Sequence, residues 1–236
     1  MNRREIISIT EKAHPKEVCL GKNINGRFEL YPNVSKERDC IYISGPSGVG
    51  KTTFAIKYLI KYKSIWPDRE IYMFSNKPMN KVFDLNNKEI PVPRHKHIIP
   101  TKEYFEDKTL KDFSHSLVLF DDVENISSDK EIQTHILNLL EEMLNVGRSY
   151  KITILIISHV LMNYRFTKNI ISECSKIVMF PRSGVKSQYR NFMKRYLNFD
   201  YKFSDGILNT KSRWLVLNKN CPLMVLTKNE LKILED

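Results

Sequence analysis

Apolar side chains fill nearly every position of several short runs along this chain. The clearest runs span residues 40–44, 70–74, 117–120, 152–157 and 176–180. Runs of this length predict strands that are buried on both faces. Weaker strands are predicted at 27–31 and 97–99. Because such strands alternate with helical segments, the pattern indicates a mostly parallel sheet that is covered on both sides.

Two longer segments carry apolar residues at helical spacing. Residues 51–66 are predicted to form a helix that Pro67 ends, since proline cannot continue a helix. Residues 128–146 are predicted to form the second helix, and Ser128 with Glu131 matches a capping box at its start. Gly147 stands where a left-handed glycine commonly closes a helix. A shorter helix is predicted near 102–105, within a proline-rich loop region at 75–115.

The pattern changes near the end of the chain. The apolar runs 213–217 and 223–226 flank Asn218-Lys219-Asn220-Cys221-Pro222, which predicts an antiparallel hairpin. The fold class is therefore α/β, with a central, mostly parallel sheet flanked by helices and a C-terminal antiparallel hairpin extension. We expect one such domain over residues 39–236, preceded by an N-terminal extension with a short strand over residues 1–38.

The segment between the first buried strand and the first helix is rich in glycine. It matches the pattern G-x-x-x-x-G-K-[ST], which surrounds phosphates with backbone N–H groups and a helix N-terminus. Lys51 is expected to reach the β- and γ-phosphates, and the Thr52 hydroxyl to bind Mg²⁺. We therefore predict a P-loop with ATP as the expected nucleotide. The predicted nucleotide-binding residues are Gly45, Pro46, Ser47, Gly48, Val49, Gly50, Lys51, Thr52 and Thr53.

Two acidic residues follow the buried run at 117–120. A buried strand that delivers a carboxylate at its C-terminal end is the Walker B arrangement. Asp121 is expected to hold Mg²⁺, and Asp122 to orient or deprotonate the attacking water. Glu124 competes for this second role. We favour Asp122, because a residue next to the metal ligand is held by the strand.

Two further elements are candidates for the catalytic site. Ser158-His159 ends the strand that is expected beside the Walker B strand, where a polar side chain can contact the γ-phosphate or the water. A histidine that is merely satisfied in a loop is an equal alternative. Arg148 follows Gly147 after a helix. It could complement the helix dipole or act on a neighbouring subunit as an arginine finger, and by itself the pattern favours the dipole.

Composition narrows the range of partners. The formal net charge of +11 favours a polyanionic partner such as nucleic acid, although a general lysine bias explains it as well.

Other patterns that would indicate a different class of protein are missing from the sequence. The four cysteines form no CxxC pair, which indicates reduced thiols. No apolar segment is long enough to span a bilayer, and none follows the N-terminus as in a secretory signal. Asn76-Lys77-Pro78-Met79 is not the motif that selects guanine.

The order of these motifs resembles one family in particular. The P-loop, the Asp121-Asp122 strand, Gly147-Arg148 and Ser158-His159 follow each other as in the genome-packaging ATPases of nucleocytoplasmic large DNA viruses and virophages, which belong to the FtsK–HerA superfamily. The resemblance covers about residues 38–228. It departs from the pattern of the superfamily at Asp122, where Glu is usual, and at His159, where Gln is common.

This resemblance implies a RecA/ASCE-like P-loop ATPase that forms a ring and moves double-stranded DNA into a capsid. Active sites would lie between subunits, so the resemblance favours the arginine-finger interpretation of Arg148 over the helix-dipole interpretation. Capsid proteins would be partners, and the protein would work in the virus factory of the host cytoplasm or in the virion. The alternatives are a helicase or DNA-loading ATPase and, in another class, a nucleotide-dependent switch or scaffold. The pair Asp121-Asp122 disfavours the switch.

One segment is a candidate for DNA contact. Across residues 183–199, Lys186, Arg190 and Lys194 share one helical face, opposite an apolar face. A basic face can follow a phosphate backbone without reading its sequence. A solvated face over a packed face is the commoner case.

Overall fold

We describe the protein from a computed structural model. The structure describes residues 6–9, 21–24, 27–76, 91–106, 108–162, 167–183, 186–220 and 223–234. Within these ranges, the α-helices are α1 (Lys51–Ile65), α2 (Lys102–Glu106), α3 (Lys130–Val146), α4 (Thr167–Glu173), α5 (Lys186–Leu197) and α6 (Tyr201–Leu208). The strands are β1 (Ile6–Ile9), β2 (Gly21–Ile24), β3 (Arg27–Leu30), β4 (Cys40–Ser44), β5 (Ile71–Phe74), β6 (Lys96–Ile98), β7 (Leu117–Phe120), β8 (Thr153–Ser158), β9 (Lys176–Met179), β10 (Leu215–Asn218), β11 (Leu223–Thr227) and β12 (Leu231–Leu234).

One ten-stranded sheet organises the described residues. Its order is β1-β12-β11-β10-β9-β4-β8-β7-β5-β6, and β2 and β3 form a separate antiparallel pair. The six strands from β9 to β6 are parallel, and those from β1 to β10 are antiparallel, as is the β10–β9 pair. The predicted fold class, a mostly parallel sheet with an antiparallel C-terminal extension, is confirmed.

Helices cover both faces of the parallel strands. One core packs α1 and β3 against the sheet through residues such as Phe54, Leu59 and Ile43. The other packs α3, α4, α5 and α6 against the opposite face, around residues such as Phe74 and Met143. The buried strands β4, β7 and β8 have no exposed position. This explains why their sequences are apolar throughout rather than alternating.

The ends of α3 differ from the prediction. Asp129, not Ser128, is the N-cap, and its carboxylate accepts hydrogen bonds from the N–H groups of Glu131 (2.8 Å) and Ile132 (3.3 Å). Gly147 has right-handed backbone angles, so the left-handed cap predicted there is wrong. A Cβ at Gly147 would lie 2.3 Å from the carbonyl oxygen of Met143. The glycine is therefore explained by this close approach.

The antiparallel part of the sheet is larger than predicted. The predicted hairpin is formed by β10 and β11, but β12 and β1 extend it by two more strands. The N-terminal region contributes β1, β2 and β3, where the sequence predicted one strand. Helices α4 and α6 were also missed. Residues 77–90 and Cys221-Pro222, which belong to the predicted loop region and hairpin turn, lie outside the described residues.

Candidate nucleotide-binding site

The predicted P-loop connects the central strand β4 to α1. Gly48 and Gly50 have φ angles of 75° and 103°, in the region that side-chain-bearing residues rarely adopt. These two glycines let the loop turn sharply into the helix, which begins at Lys51. The N–H of Gly45 donates to the carbonyl of Ser158 on β8 at 3.3 Å. The start of the loop is thus tied to the end of β8, next to the predicted site residue His159.

Lys51 lies at the centre of the site, with only 7% of its surface exposed. Its ammonium group donates to the carbonyl oxygens of Gly45 (2.6 Å) and Pro46 (2.9 Å). It also lies 3.1 Å from Nδ1 of His159. The helix N-terminus and this ammonium group bring positive charge to the loop, as an anion site requires.

The strand order brings two of the other predicted motifs to the P-loop. Strand β8 lies between β4 and β7, with Ser44 opposite Ser158 and Phe120 opposite Ile156. All three strands are parallel, so their carboxyl ends meet at one edge of the sheet. Residues that follow these ends in the sequence, Asp121-Asp122 and His159, therefore surround the loop.

The two acids after β7 differ in their surroundings. Asp121 is buried, with 7% exposure, and its N–H donates to the carbonyl of Phe74 at 3.0 Å. Asp122 has a φ of 58°, a left-handed conformation that aspartate tolerates better than most residues. Its Oδ1 lies 3.5 Å from Nε2 of His159. Because Nδ1 of the same ring faces Lys51, the imidazole bridges Lys51 and Asp122.

Glu124, the competitor of Asp122, is held in a different way. Its Oε1 accepts hydrogen bonds from the N–H groups of His159 (3.0 Å) and Val160 (3.1 Å), and from the Ser158 hydroxyl. Ser158 in turn accepts from the Tyr42 hydroxyl at 2.8 Å. Burial raises the pKa of Tyr42 well above its ordinary value, with the Glu124 carboxylate adding to this. Glu124 thus fixes the backbone that follows β8, a role that the sequence did not reveal.

The donor atoms at this edge fit a magnesium ion. Mg²⁺ commonly uses one or two protein oxygens, together with substrate phosphates and waters. Thr52 begins the helix beside Lys51, and Asp121 supplies a carboxylate from the end of β7. Among the described residues, no group of three or more His, Cys, Asp or Glu could hold a metal by itself.

A cavity of about 260 Å³ adjoins the P-loop on the side away from Asp121. It lies between β3, α1 and the segment before β10, and Gly50, Thr53, Lys57 and Trp214 are among its lining residues. Trp214 packs edge-on against Phe54, with 5.2 Å between the ring centroids.

Arg213 reaches the P-loop from the far end of the chain. Its Nε donates to the carbonyl of Val49 (2.8 Å), and its Nη2 donates to that of Gly48 (3.3 Å). The apolar pattern predicts Arg213 only as the start of a strand, which in fact begins at Leu215. Local pattern carries no signal for this contact, because 164 residues separate its two ends.

Arg148 does not belong to the same cluster. It follows α3 in an exposed turn, before β8 begins at Thr153. The six residues of β8 span roughly 20 Å, so Arg148 lies at the amino-terminal edge of the sheet, opposite the P-loop of its own chain. Its guanidinium group forms no ion pair with any other described residue.

The basic face of α5 is partly engaged within the protein. Nε of Arg190 lies 2.5 Å from Oδ1 of Asp205 on α6, and the ammonium group of Lys194 lies 4.8 Å from the ring centre of Tyr201. The opposite face buries Tyr189, Phe192 and Met193, as predicted. Lys186 remains exposed. Residues 184–185 lie outside the described residues.

The fold matches solved structures of a viral protein and of a conjugation coupling protein at low sequence identity. Genome packaging NTPase B204 from Sulfolobus turreted icosahedral virus 2, in complex with ATP-gammaS, aligns with a TM-score of 0.54 and 12% identity over 81% of this chain and 98% of that chain. The pCW3 conjugation coupling protein TcpA, with ATPgS, aligns with a TM-score of 0.58 and 12% identity, over 93% of this chain and 68% of that one. The fold and the loop thus define a P-loop NTPase. The fold predicted by the resemblance to packaging ATPases is confirmed.

A sequence relative identifies the family more closely. "Uncharacterized protein V3" of Sputnik virophage is 32% identical over 212 residues, which cover 89% of this chain and 82% of that protein. The chain belongs to the same virophage protein family as V3. No protein-family model matches the chain. Within the described residues, every helix is too short or too polar to cross a membrane.

Proposed function

We propose that this chain is the ATP-hydrolysing subunit of a motor that moves double-stranded viral DNA into a capsid. The observation that carries the proposal is the convergence of Lys51, Asp121-Asp122 and His159 at one edge of the sheet. The folds that share this architecture include an NTPase described as genome packaging and a conjugation coupling protein. A relative from a virophage supports the viral setting.

Nucleotide binding follows from the P-loop. Backbone N–H groups of residues 48–53 would hold the phosphates, and Lys51 would leave the carbonyls of Gly45 and Pro46 to contact the β- and γ-phosphates. Thr52 and Asp121 would hold Mg²⁺, which neutralises charge on the phosphates when it is bound. The cavity beside Thr53 and Trp214 would receive the nucleoside, with ATP as the proposed substrate.

Hydrolysis requires a group that takes a proton from the attacking water. We assign this role to Asp122, because Oε1 of Glu124 already accepts hydrogen bonds from the backbone that follows β8. His159 links Lys51 to Asp122. It is therefore placed to respond when Lys51 moves to the γ-phosphate, and to pass that change to the end of β8.

The position of Arg148 favours a ring. Because it is exposed and lies at the sheet edge opposite its own P-loop, it would contact a γ-phosphate only in another subunit. An arginine supplied in this way stabilises the charge of the transition state. Active sites between subunits would make hydrolysis depend on assembly. Capsid proteins are the expected docking partners, in the host virus factory or the virion.

Double-stranded DNA is the proposed cargo, and the net charge of +11 supports it. With Arg190 and Lys194 engaged by α6, the exposed Lys186 is the remaining predicted DNA contact on that face. Charge contacts of this kind make binding weaken steeply as salt rises.

The decisive experiment measures ATP hydrolysis with and without blunt duplex DNA, alongside the mass of the assembly. We expect duplex-stimulated hydrolysis by an oligomer, and Lys51→Ala should reduce it to background while the protein stays folded. Stimulation by single strands or forks alone would indicate a helicase or loading ATPase. Tight ATP binding without turnover in the assembled state would indicate a switch, and near-wild-type turnover by Lys51→Ala would refute the site.

A further inference from the structure

The P-loop is held from outside by a residue of the antiparallel half of the sheet. Arg213 precedes β10, and its guanidinium group donates to two successive carbonyls of the loop, those of Gly48 and Val49. Charge-assisted hydrogen bonds from a planar guanidinium fix direction as well as distance. The contact therefore restrains two neighbouring peptide groups.

Each of these peptide groups also carries an N–H that phosphate needs. In a trans peptide, the carbonyl of one residue and the N–H of the next point in opposite directions. The carbonyl of Gly48 shares its peptide with the N–H of Val49, and the carbonyl of Val49 shares its peptide with the N–H of Gly50. Holding both carbonyls toward Arg213 therefore turns both N–H groups away from Arg213.

The loop needs such a restraint because its glycines restrict the backbone conformation very little. Gly48 and Gly50 both have positive φ, and glycine residues lose more conformational freedom on ordering than any other residue. A Cβ at Gly48 would meet nothing within 4 Å, so no group beyond its chain neighbours lies against that side of the residue. At Gly50, the nearest neighbour of a Cβ is the guanidinium group of Arg213, at 3.5 Å.

We propose that Arg213 is a positioning residue, which orients the N–H groups of Val49 and Gly50 before phosphate arrives. The proposal rests on the nucleotide site proposed above. Arg213 itself need not touch the nucleotide. Its loss should therefore weaken the binding of any polyphosphate, because the cost of ordering the loop then falls on the ligand. The rate of hydrolysis at saturation should change little.

A competing role for Arg213 is contact with the nucleoside, since its side chain also lines the adjoining cavity. The two roles differ in what they predict for inorganic tripolyphosphate, which has phosphates but no base or ribose. A residue that orients the loop affects ATP and tripolyphosphate alike. A residue that binds the nucleoside affects ATP alone.

The test compares Arg213→Ala with the wild type by calorimetric titration of ATP and of tripolyphosphate, in the presence of Mg²⁺. We expect about tenfold weaker binding of both ligands, the size expected for losing charge-assisted hydrogen bonds. In turnover assays, KM should rise while kcat is retained. Arg213→Lys, which keeps the charge but not the fork of donors, should be intermediate, and added methylguanidinium should restore part of the affinity of Arg213→Ala.

Lys211→Ala is the matched control, because it removes an exposed positive charge from the same segment. It should bind both ligands as the wild type does, and thermal melts without ligand should be the same for all variants. Wild-type affinity of Arg213→Ala for both ligands would overturn the positioning role, and so would a loss confined to ATP. If the wild-type chain binds neither ligand, the nucleotide site itself is refuted, and this role falls with it.

Discussion

Charged side chains gather at both edges of the parallel sheet, but their interaction partners differ between the two edges. At the amino edge, Asp39 and Lys176 form an ion pair in which the side chains are only 2% and 3% exposed. Asp39 also accepts hydrogen bonds from the Tyr58 hydroxyl (2.6 Å) and the N–H of Asn33 (3.0 Å). Burial, followed by the Asp39 carboxylate, raises the pKa of Tyr58 well above its ordinary value.

At the carboxyl edge, the contacts of the charged groups include backbone carbonyls and an imidazole. The ammonium group of Lys51 contacts two carbonyls and an imidazole, and Asp122 faces the same imidazole. Removing one partner of a closed buried pair is expected to damage the fold. Removing a group from the carboxyl edge is expected to damage ligand handling instead. The same strands would therefore serve stability at one edge and the proposed chemistry at the other.

The largest expected effect concerns Arg148, which lies at the amino edge and would act at the carboxyl edge of a neighbouring subunit. Arg148→Ala should lower turnover in the assembled wild-type background by about 10³-fold, the smaller end of what an arginine finger contributes. The measurement is steady-state phosphate release by the assembly.

Mixing provides the control for this prediction. Subunits with Arg148→Ala keep an intact P-loop, and subunits with Lys51→Ala keep an intact Arg148, so mixed assemblies should recover some activity. Failure to recover activity in mixtures of proven mixed composition would contradict a role for Arg148 in trans. The amino edge would then be purely structural.

The second largest effect is expected to distinguish Asp122 from Glu124 as the general base. Asp122→Asn should lower kcat by about 10²-fold or more, as expected for the loss of a general base, with little change in KM. Glu124→Gln should turn over at about the wild-type rate, because an amide oxygen can still accept from the N–H groups of His159 and Val160.

The readout is kcat and KM for both variants, with circular dichroism to confirm folding. The reverse pattern, with Glu124→Gln inactive and Asp122→Asn active, would transfer the base to Glu124.

A third prediction concerns stability at the amino edge. Lys176→Met should lower the free energy of unfolding by about 3–5 kcal/mol, because it leaves the Asp39 carboxylate buried without its cation. Adding Asp39→Asn should recover part of this loss, since a neutral amide leaves no buried charge. Urea unfolding near neutral pH measures both effects.

Nucleotide affinity of the folded Lys176→Met protein provides the contrast with the carboxyl edge. It should match the wild type, and a large loss of affinity without loss of stability would show that the two edges are not independent.

The smallest expected effect concerns the thiols near the amino edge. Burial raises the pKa of Cys40 from its ordinary value of 9.0 to about 11, and burial likewise raises that of Cys174. With Cys19 and Cys221 replaced by Ser, the folded protein should react with iodoacetamide much more slowly than the urea-unfolded chain.

The same pKa shift has a consequence for stability. The unfolded chain loses its thiol protons at lower pH than the folded chain, so the contribution of Cys40 should be present below about pH 9 and lost as pH rises toward 11. Rapid alkylation of the folded protein near neutral pH would contradict this description of the amino edge.

The sequence by itself determined the local elements and the main parts of the site. Apolar runs located the parallel strands, because a strand that is covered on both faces must be apolar throughout. The spacing of Gly45, Gly50 and Lys51 located the P-loop, because a phosphate cradle needs glycine conformations in a fixed order. The predictions were wrong at both ends of α3, where the sequence did not show which residue forms the N-cap or why the glycine is needed. Asp129 caps α3 in place of Ser128, and close packing on Met143 explains Gly147.

Only the tertiary structure decided which distant residues meet. The order of the strands places β8 between the P-loop strand and the Walker B strand, which brings His159 between Lys51 and Asp122. It also brings Arg213 to the loop and Lys176 to Asp39. Hydrophobic pattern and turn propensity act within a few residues, so they carry no information about contacts between residues that lie far apart in the sequence. Those contacts follow from how the sheet packs, and they decide which charged side chains gather at each edge of the sheet.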